Sequence, residues 1–514
     1  MMAVLFLYIP ILFLALYTVT IHFLNKTRNL PPSPFPCLPI IGHLHLLIKK
    51  PPVPQTLAKI SNKYGPLVSI QLGSRRVVVV SSPAVAEECL TKNDIILANR
   101  PCLLFGEYLN YNCTTLAWAP YGDHWRYLRK IASLEILSTH RLQMLSSIRA
   151  EEVRSLVSKL FHEHQNGEVV NMRVAFYELT VNILLRMMAG KQYYGEDVSN
   201  MEEARRFHEI HAETIRLGGD AVLGDMFPWI VRFKGLKKRL VECQRKRDNL
   251  MQFLIEEQRK EMDGFDSSGE EKKNMIQLLL SLQAKEPEYY KDEIIKGLVL
   301  ILLAAGSGST SNVMEWSLSL LINHPRVTEK ARARIDKYVG HDRLIDESDL
   351  PHLTHLHNIV NETMRMYPSA PLTTPHQSSQ ECVVGGFRIP ARTTLVFNLW
   401  AIQNDPKLWD DPTVFKPERF EGVEGSRDGF RFMPFGYGRR GCPGEGLALR
   451  VAELALGTLI QCFEWESSTV GGGDGGKVDM RVAGAGGGFT MPKAHPLKVL
   501  CRPRPCMLNL LSQV

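Results

Sequence analysis

Phe435-Gly-Tyr-Gly-Arg-Arg-Gly-Cys442-Pro-Gly444 decides the reading of this chain. A single cysteine stands among glycines and two arginines. An apolar helical pattern follows at once, with Leu447, Val451, Leu454 and Ala455 on one face. Glycine lets a backbone approach a flat ligand closely. Positive charge and a helix N-terminus favour the thiolate, which is the form of cysteine that binds metals. The stretch therefore reads as a thiolate metal site. A buried structural cysteine in a glycine-rich turn is the simpler alternative.

The surrounding chain has 514 residues and a net charge of +7. That mild excess, with no basic-aromatic stripe, excludes a dedicated nucleic-acid binder. It suits an acidic partner or an anionic membrane surface. The ten cysteines are scattered and form no C-x-x-C. Cys102 and Cys113 are among those with no close partner, so neither a disulfide framework nor a zinc site is expected, and a reducing compartment is. The sequons at Asn25, Asn112 and Asn361 read as chance.

Ala3 to Leu24 is an uncharged apolar run of bilayer-spanning length, followed by Lys26 and Arg28. No charged N-region or small-residue cleavage site accompanies it, so residues 1–24 read as a transmembrane signal anchor with the body on the cytosolic side. Residues 25–45 form a basic, proline-rich hinge, stiff enough to hold the body off the membrane. Residues 46–514 are left as one catalytic domain.

Leu67–Leu72 and Arg76–Ser81 flank Gly73-Ser-Arg75 and predict a hairpin. Asn99 to Gly122 reads as a long irregular loop, a class that tends to be functional. Trp125 and Arg129 share a helical face. Gly218-Gly219 predicts a helix break, and Glu256 to Asn274 a charged surface loop. Asp292 to Asn323 predicts a long apolar helix with Ala305-Gly-Ser-Gly308-Ser309-Thr310 at its middle. Each glycine there costs roughly 1 kcal/mol, which suggests close approach of something flat. Glu362 and Arg365 sit at i and i+3 on a helix, and Pro417-Glu-Arg419-Phe follows some fifty residues on. Phe387 to Phe397 predicts a second hairpin. Gly471 to Gly488 reads as a flexible glycine-rich hairpin region.

Together these motifs resemble the cytochromes P-450. The haem-loop spacing is matched at Phe435, Gly438, Arg440, Cys442 and Gly444, and the other elements follow in the family's order across essentially the whole chain. Ala119-Pro-Tyr-Gly-Asp-His-Trp125 and Leu459-Ile-Gln-Cys-Phe-Glu-Trp465 make it similar to plant microsomal members of family 81. The resemblance implies a mostly α fold with a small β-rich lobe and a cofactor of haem b bound through Cys442. Electrons come from NADPH through a flavin-containing reductase in the endoplasmic reticulum membrane, and the substrate is small and apolar or aromatic. It implies that Trp125, Arg129, His376 and Arg440 contact haem propionates. Glu362, Arg365 and Arg419 form a buried structural triad. Ala305, Leu372 and Phe489 line the substrate pocket, and the loop at 99–122 caps it. Arg129, Lys130, Arg439 and Arg440 suggest a basic face for the reductase.

One departure stands out. The family's distal helix carries an acid and an alcohol that relay protons during dioxygen cleavage. Here Gly308 replaces the acid and Ser309 the alcohol, with Thr310 next to it. Three readings follow. A water ordered by Ser309 or Thr310 relays the proton, the substrate supplies a hydroxyl, or dioxygen is no longer used well. Plant members that close methylenedioxy bridges depart from the pattern here too. The expected activity is oxidation of a phenolic, lignan or isoflavonoid-like compound, by hydroxylation or ring closure. A dioxygen-independent haem-thiolate isomerase or dehydratase, and a non-catalytic haem-binding membrane scaffold, are the other two classes.

Overall fold

Helix Asp292–Asn323 is the axis of the fold. It is long and apolar enough to cross a membrane, yet most of its C-terminal half is enclosed by protein. It packs on helices Met172–Ala189, Leu236–Gly264, Thr354–Met366 and Glu445–Cys462. An all-round apolar helix is stable only when neighbours cover it. These neighbours do so through one large cluster that includes Phe176, Met314, Leu356 and Leu459. The computed structural model describes residues 2–48, 52–195, 201–229, 235–264, 273–423, 428–468, 477–484 and 490–513.

The fold is mostly helical, with three small sheets among the described residues. The largest joins Leu67–Leu72, Arg75–Val80, Thr394–Phe397 and His376–Gln377 in that order. The first pair is the expected hairpin, in register Leu67 with Val80. Val78, Val79 and Val80 are all buried. A strand apolar on both faces belongs inside a sheet, and Arg75–Val80 pairs on its other side with Thr394–Phe397 in parallel.

That parallel pairing corrects the second predicted hairpin. Phe387–Ile389 pairs instead with Cys382–Val384, in a separate two-stranded sheet. The chain turns at Arg392, whose φ is 61°, and Thr394–Phe397 continues into the large sheet. Gly218 and Gly219 do not break a helix but lie inside Met201–Met226. A Cβ on Gly218 would come within 3.2 Å of the Phe105 ring, so this glycine serves close packing. Helix Leu236–Gly264 runs through the first half of the expected surface loop, and residues 265–272 lie outside the described set. The 99–122 segment contains a short helix, Leu104–Leu109. It also joins Cys102 to Cys113 as a disulfide, with Cα atoms 6.2 Å apart. This corrects the expectation that both are unpaired. Tyr111, Asn112 and Cys113 all take left-handed φ and fold the chain back toward Cys102, a turn with no periodic cue in sequence. Most of the glycine-rich 471–488 region lies outside the described residues.

Candidate functional site

The cysteine loop is built around two left-handed glycines, Gly436 at φ 70° and Gly438 at φ 69°. The Cys442 amide donates to the Phe435 carbonyl at 2.8 Å, and the Gly441 amide to Gly438 at 3.1 Å. Gly444 precedes helix Glu445–Cys462, and its amide donates to Cys442 Sγ at 3.3 Å. Backbone donors and the positive end of a helix thus meet at the sulfur. Cys442 is accessible and opens on an elongated cavity beneath the central helix.

Cationic side chains gather at one edge of this cavity. Arg440 stacks on Trp125 at 4.3 Å, and its Nε and Nη2 donate to the carbonyls of Ala98 and Ala119, each at 2.7 Å. Its Nη1 is buried and has no partner among the described residues. Arg129 donates to the Gly441 carbonyl at 2.5 Å. Arg100 is buried and donates to the carbonyls of Ala117, Thr374 and Pro375 at 3.1, 2.8 and 2.7 Å. Burial holds the Arg100 pKa well below its ordinary value, and neighbouring Arg440 adds to this. Burial and then Arg129 bring Arg440 down to about 9. Asp94 offsets the charge of Arg440 only in part, and buried like charges are costly, so this edge suits an anion.

His376 belongs to the same edge. Its Nδ1 lies 3.0 Å from the Leu97 carbonyl, which must accept, so Nδ1 carries the proton. Burial and then Arg100 depress its pKa far below the usual histidine range. Nε2 therefore donates to an anion only once a negative charge nearby favours the second proton. Trp125 lies under Arg440, but its indole N–H donates to the Leu116 carbonyl at 3.1 Å. The donation to a propionate expected of it is spent on backbone, and it offers the cavity a ring face instead. Arg100 was missed from sequence: its acceptors at Thr374 and Pro375 lie some 270 residues away, and no local spacing marks it.

A thiol on the floor, close-packing glycines, apolar walls and a cationic edge fit a flat macrocycle with a metal at its centre and carboxylates at one rim. Haem b is such a group.

On the opposite wall, Ala305, Ser309 and Thr310 line the cavity. The Ser309 hydroxyl donates to the Ala305 carbonyl at 2.7 Å. A Cβ built on Gly308 would meet nothing within 4 Å, whereas one on Gly306 would come within 3.0 Å of Leu184. Gly306 is therefore the close-packing glycine, and Gly308 faces open space. Ser369, Ala370, Thr373 and Thr374 complete the wall. Leu372 does not. It bridges to Asn398 and packs on the sheet cluster around Val396, because this extended segment turns its apolar side chain to the strands and its small ones to the cavity. Phe489 lies outside the described residues.

Glu362, Arg365 and Arg419 meet behind the cysteine loop. Arg365 donates to both Glu362 oxygens at 2.7 and 3.0 Å, and Arg419 Nε to Oε1 at 3.2 Å. The Lys416 amide adds a fourth donor at 3.0 Å. On the outer face, Lys130 is exposed and Arg439 is shared with Asp94 at 3.3 Å. Arg129 and Arg440 turn inward, so the basic face is smaller than expected.

The family model described as cytochrome P450 matches residues 31–473. Cytochrome P450 81Q32 of Catharanthus roseus is 46% identical, covering 95% of this chain and 94% of its own. A (+)-piperitol/(+)-sesamin synthase of Sesamum radiatum is also 46% identical, over 95% and 93%. An isoflavone 2'-hydroxylase of Glycyrrhiza echinata is 44% identical, over 95% of each. A solved zebrafish cytochrome P450, determined with progesterone, superposes with a TM-score of 0.75 at 26% identity, covering 88% of this chain and all of its own.

Proposed function

The chain belongs to the cytochrome P450 family, and from that premise we propose that it oxidises a phenolic, lignan or isoflavonoid-like metabolite, by hydroxylation or methylenedioxy-bridge closure. As a family member it is a haem b monooxygenase, an oxidoreductase that receives NADPH-derived electrons through a reductase and binds small substrates. The substrate class is supported by the names of the sesamin synthase and isoflavone hydroxylase relatives.

An accessible Cys442 facing a cavity wall that carries no acid among the described residues is the observation that carries the reading. Haem held through Cys442 would supply dioxygen activation, chemistry that side chains alone do not perform. Cys442 would hold its iron, and Arg100, Arg129, Arg440 and His376 its carboxylates. Arg440→Leu is expected to release haem about tenfold faster, the loss of a charge-assisted hydrogen bond. Transfer of haem to apomyoglobin measures it, and an unchanged rate would contradict the assignment.

Ser309 manages the proton. Its O–H is spent on Ala305, so its lone pairs accept from water or from a substrate hydroxyl. Gly308, next to Ser309, has open space at its Cβ position but does not itself line the cavity. Gly308→Asp places a carboxylate in that space without a steric clash. It is expected to raise product per NADPH severalfold, given that general acid–base groups contribute about 10²–10⁴ in rate. Unchanged or worse coupling would count against a missing relay.

The helix Met2–Thr27, followed by Arg28, supports a single-pass anchor in the endoplasmic reticulum with the body in the cytosol. The domain limits proposed are 1–24, 25–45 and 46–514. A dioxygen-independent isomerase or dehydratase is the second reading, favoured by Gly308 and Ser309. Turnover without NADPH would select it.

A further inference from the structure

Three stretches distant in sequence meet behind the distal wall, where the Met491 amide donates to the Ser369 carbonyl at 3.1 Å and one further side chain bonds both. Asn312 lies one turn beyond Ser309 on the central helix. Its Nδ2 donates to the Met491 carbonyl at 3.2 Å and to Ser369 Oγ at 3.4 Å. Ser369 Oγ donates in turn to the Ser309 carbonyl at 2.8 Å. Ser309 and Ser369 both line the cavity. The Met491 carbonyl also accepts from Trp316 Nε1 at 2.9 Å. Trp316 is itself fixed, stacked on Tyr367 at 3.9 Å and lying beneath the Lys493 ammonium at 4.8 Å.

Asn312 is an expensive residue for stability alone. It is buried, and its Oδ1 has no partner among the described residues. An unmet buried acceptor destabilises a fold. An apolar side chain of similar size would orphan nothing. Met491 would keep Trp316, and the Ser369 hydroxyl would keep Ser309. The amide is therefore explained by the geometry it imposes on its two partners.

We propose that Asn312 is a positioning residue for substrate: through its bonds to Ser369 Oγ and the Met491 carbonyl it sets how the Ser369–Thr374 wall and the segment at Met491 seat against the distal helix beside Ser309. This rests on the reading of the cavity as a haem and substrate site, not on any particular substrate. Specificity then depends on a residue that touches neither substrate nor cofactor.

The test uses the haem-loaded full chain and two probes, imidazole and phenylimidazole, followed by their absorbance shifts. Imidazole is small and samples the haem, while phenylimidazole extends to the wall. In Asn312→Leu, haem content and Tm are expected to stay unchanged or rise, and imidazole affinity to hold. Phenylimidazole is expected to bind about fivefold to tenfold more weakly, the range of one hydrogen bond. Ser369→Ala is expected to produce the same weakening, and the double variant no more, because the two act through one linkage. Unchanged phenylimidazole affinity in Asn312→Leu overturns the proposal. So does a fall in Tm or haem content in that variant, which would make the residue structural. Azoles report on the wall whether or not any phenolic compound is oxidised, so failure of the substrate reading leaves this test intact.

Discussion

Glu362→Ala is expected to yield protein without haem. Glu362 is fully buried and accepts from Arg365 twice, from Arg419 and from the Lys416 amide. Removing it leaves the Arg365 guanidinium, also fully buried, with the carbonyls of Gln403 and Pro412 and the Trp409 ring face, and with no carboxylate among the described residues. Breaking a buried pair by deleting one partner costs about 3–5 kcal/mol, a large part of a domain's margin. The damage also has a direction. Arg365 and Arg419 bind carbonyls at Gln403, Asp411 and Pro412, so the cluster ties helix Thr354–Met366 to the segment that leads into the cysteine loop. The measurement is haem per protein after purification, together with the reduced carbon-monoxide difference spectrum. A full thiolate-type band would refute the structural role.

Gly438→Val is expected to do comparable damage from inside the loop. Gly438 sits at φ 69°, where a β-branched residue is a genuine outlier. Left-handed backbone costs an L-residue about 1–2 kcal/mol before any clash. A Cβ there would also stand 2.8 Å from Asp94 Oδ1 and 3.1 Å from the Leu90 carbonyl. Asp94 cannot simply retreat, since it holds the Arg439 amide and guanidinium at 3.3 Å. The loop must therefore shift, and Cys442 and Arg440 with it. Loss of haem is expected, with a lowered Tm. Gly422→Ala is the control: it has positive φ but open surroundings and no part in the site, and should retain haem. Wild-type haem content in Gly438→Val would show that the loop tolerates the displacement.

Legibility in sequence followed the range of the interaction. The cysteine loop, the long apolar helix and the first hairpin are short-range patterns, and each stands where periodicity and turn chemistry put it. The pairing of Thr394–Phe397 with Arg75–Val80 is decided by the need to cover an apolar strand on both sides, which no local pattern encodes. Gly218 illustrates the same limit. Its meaning depends on Phe105, more than a hundred residues away, and reading it locally as a break gave the wrong answer. Within the site, Cys442 and Arg440 are legible because a loop must be glycine-rich to present them. Arg100 is not, because its acceptors come from other segments. Leu372 was assigned to the cavity because its segment borders it, and its bridge to Asn398 turns it to the sheet instead. Asn312 carries no motif at all; only the meeting of three segments gives it a role.

The proposed activity is dioxygen- and NADPH-dependent oxidation of an aromatic metabolite in a haem-thiolate pocket whose distal wall carries no acid among the described residues. Microsomes carrying this chain and a reductase, supplied with NADPH and a panel of phenolic, lignan and isoflavonoid compounds, test it most directly by product mass. The account predicts that at least one compound becomes one oxygen heavier or two hydrogens lighter, only when NADPH and dioxygen are both present. A product of unchanged elemental composition, or one that forms equally well without NADPH, would contradict it.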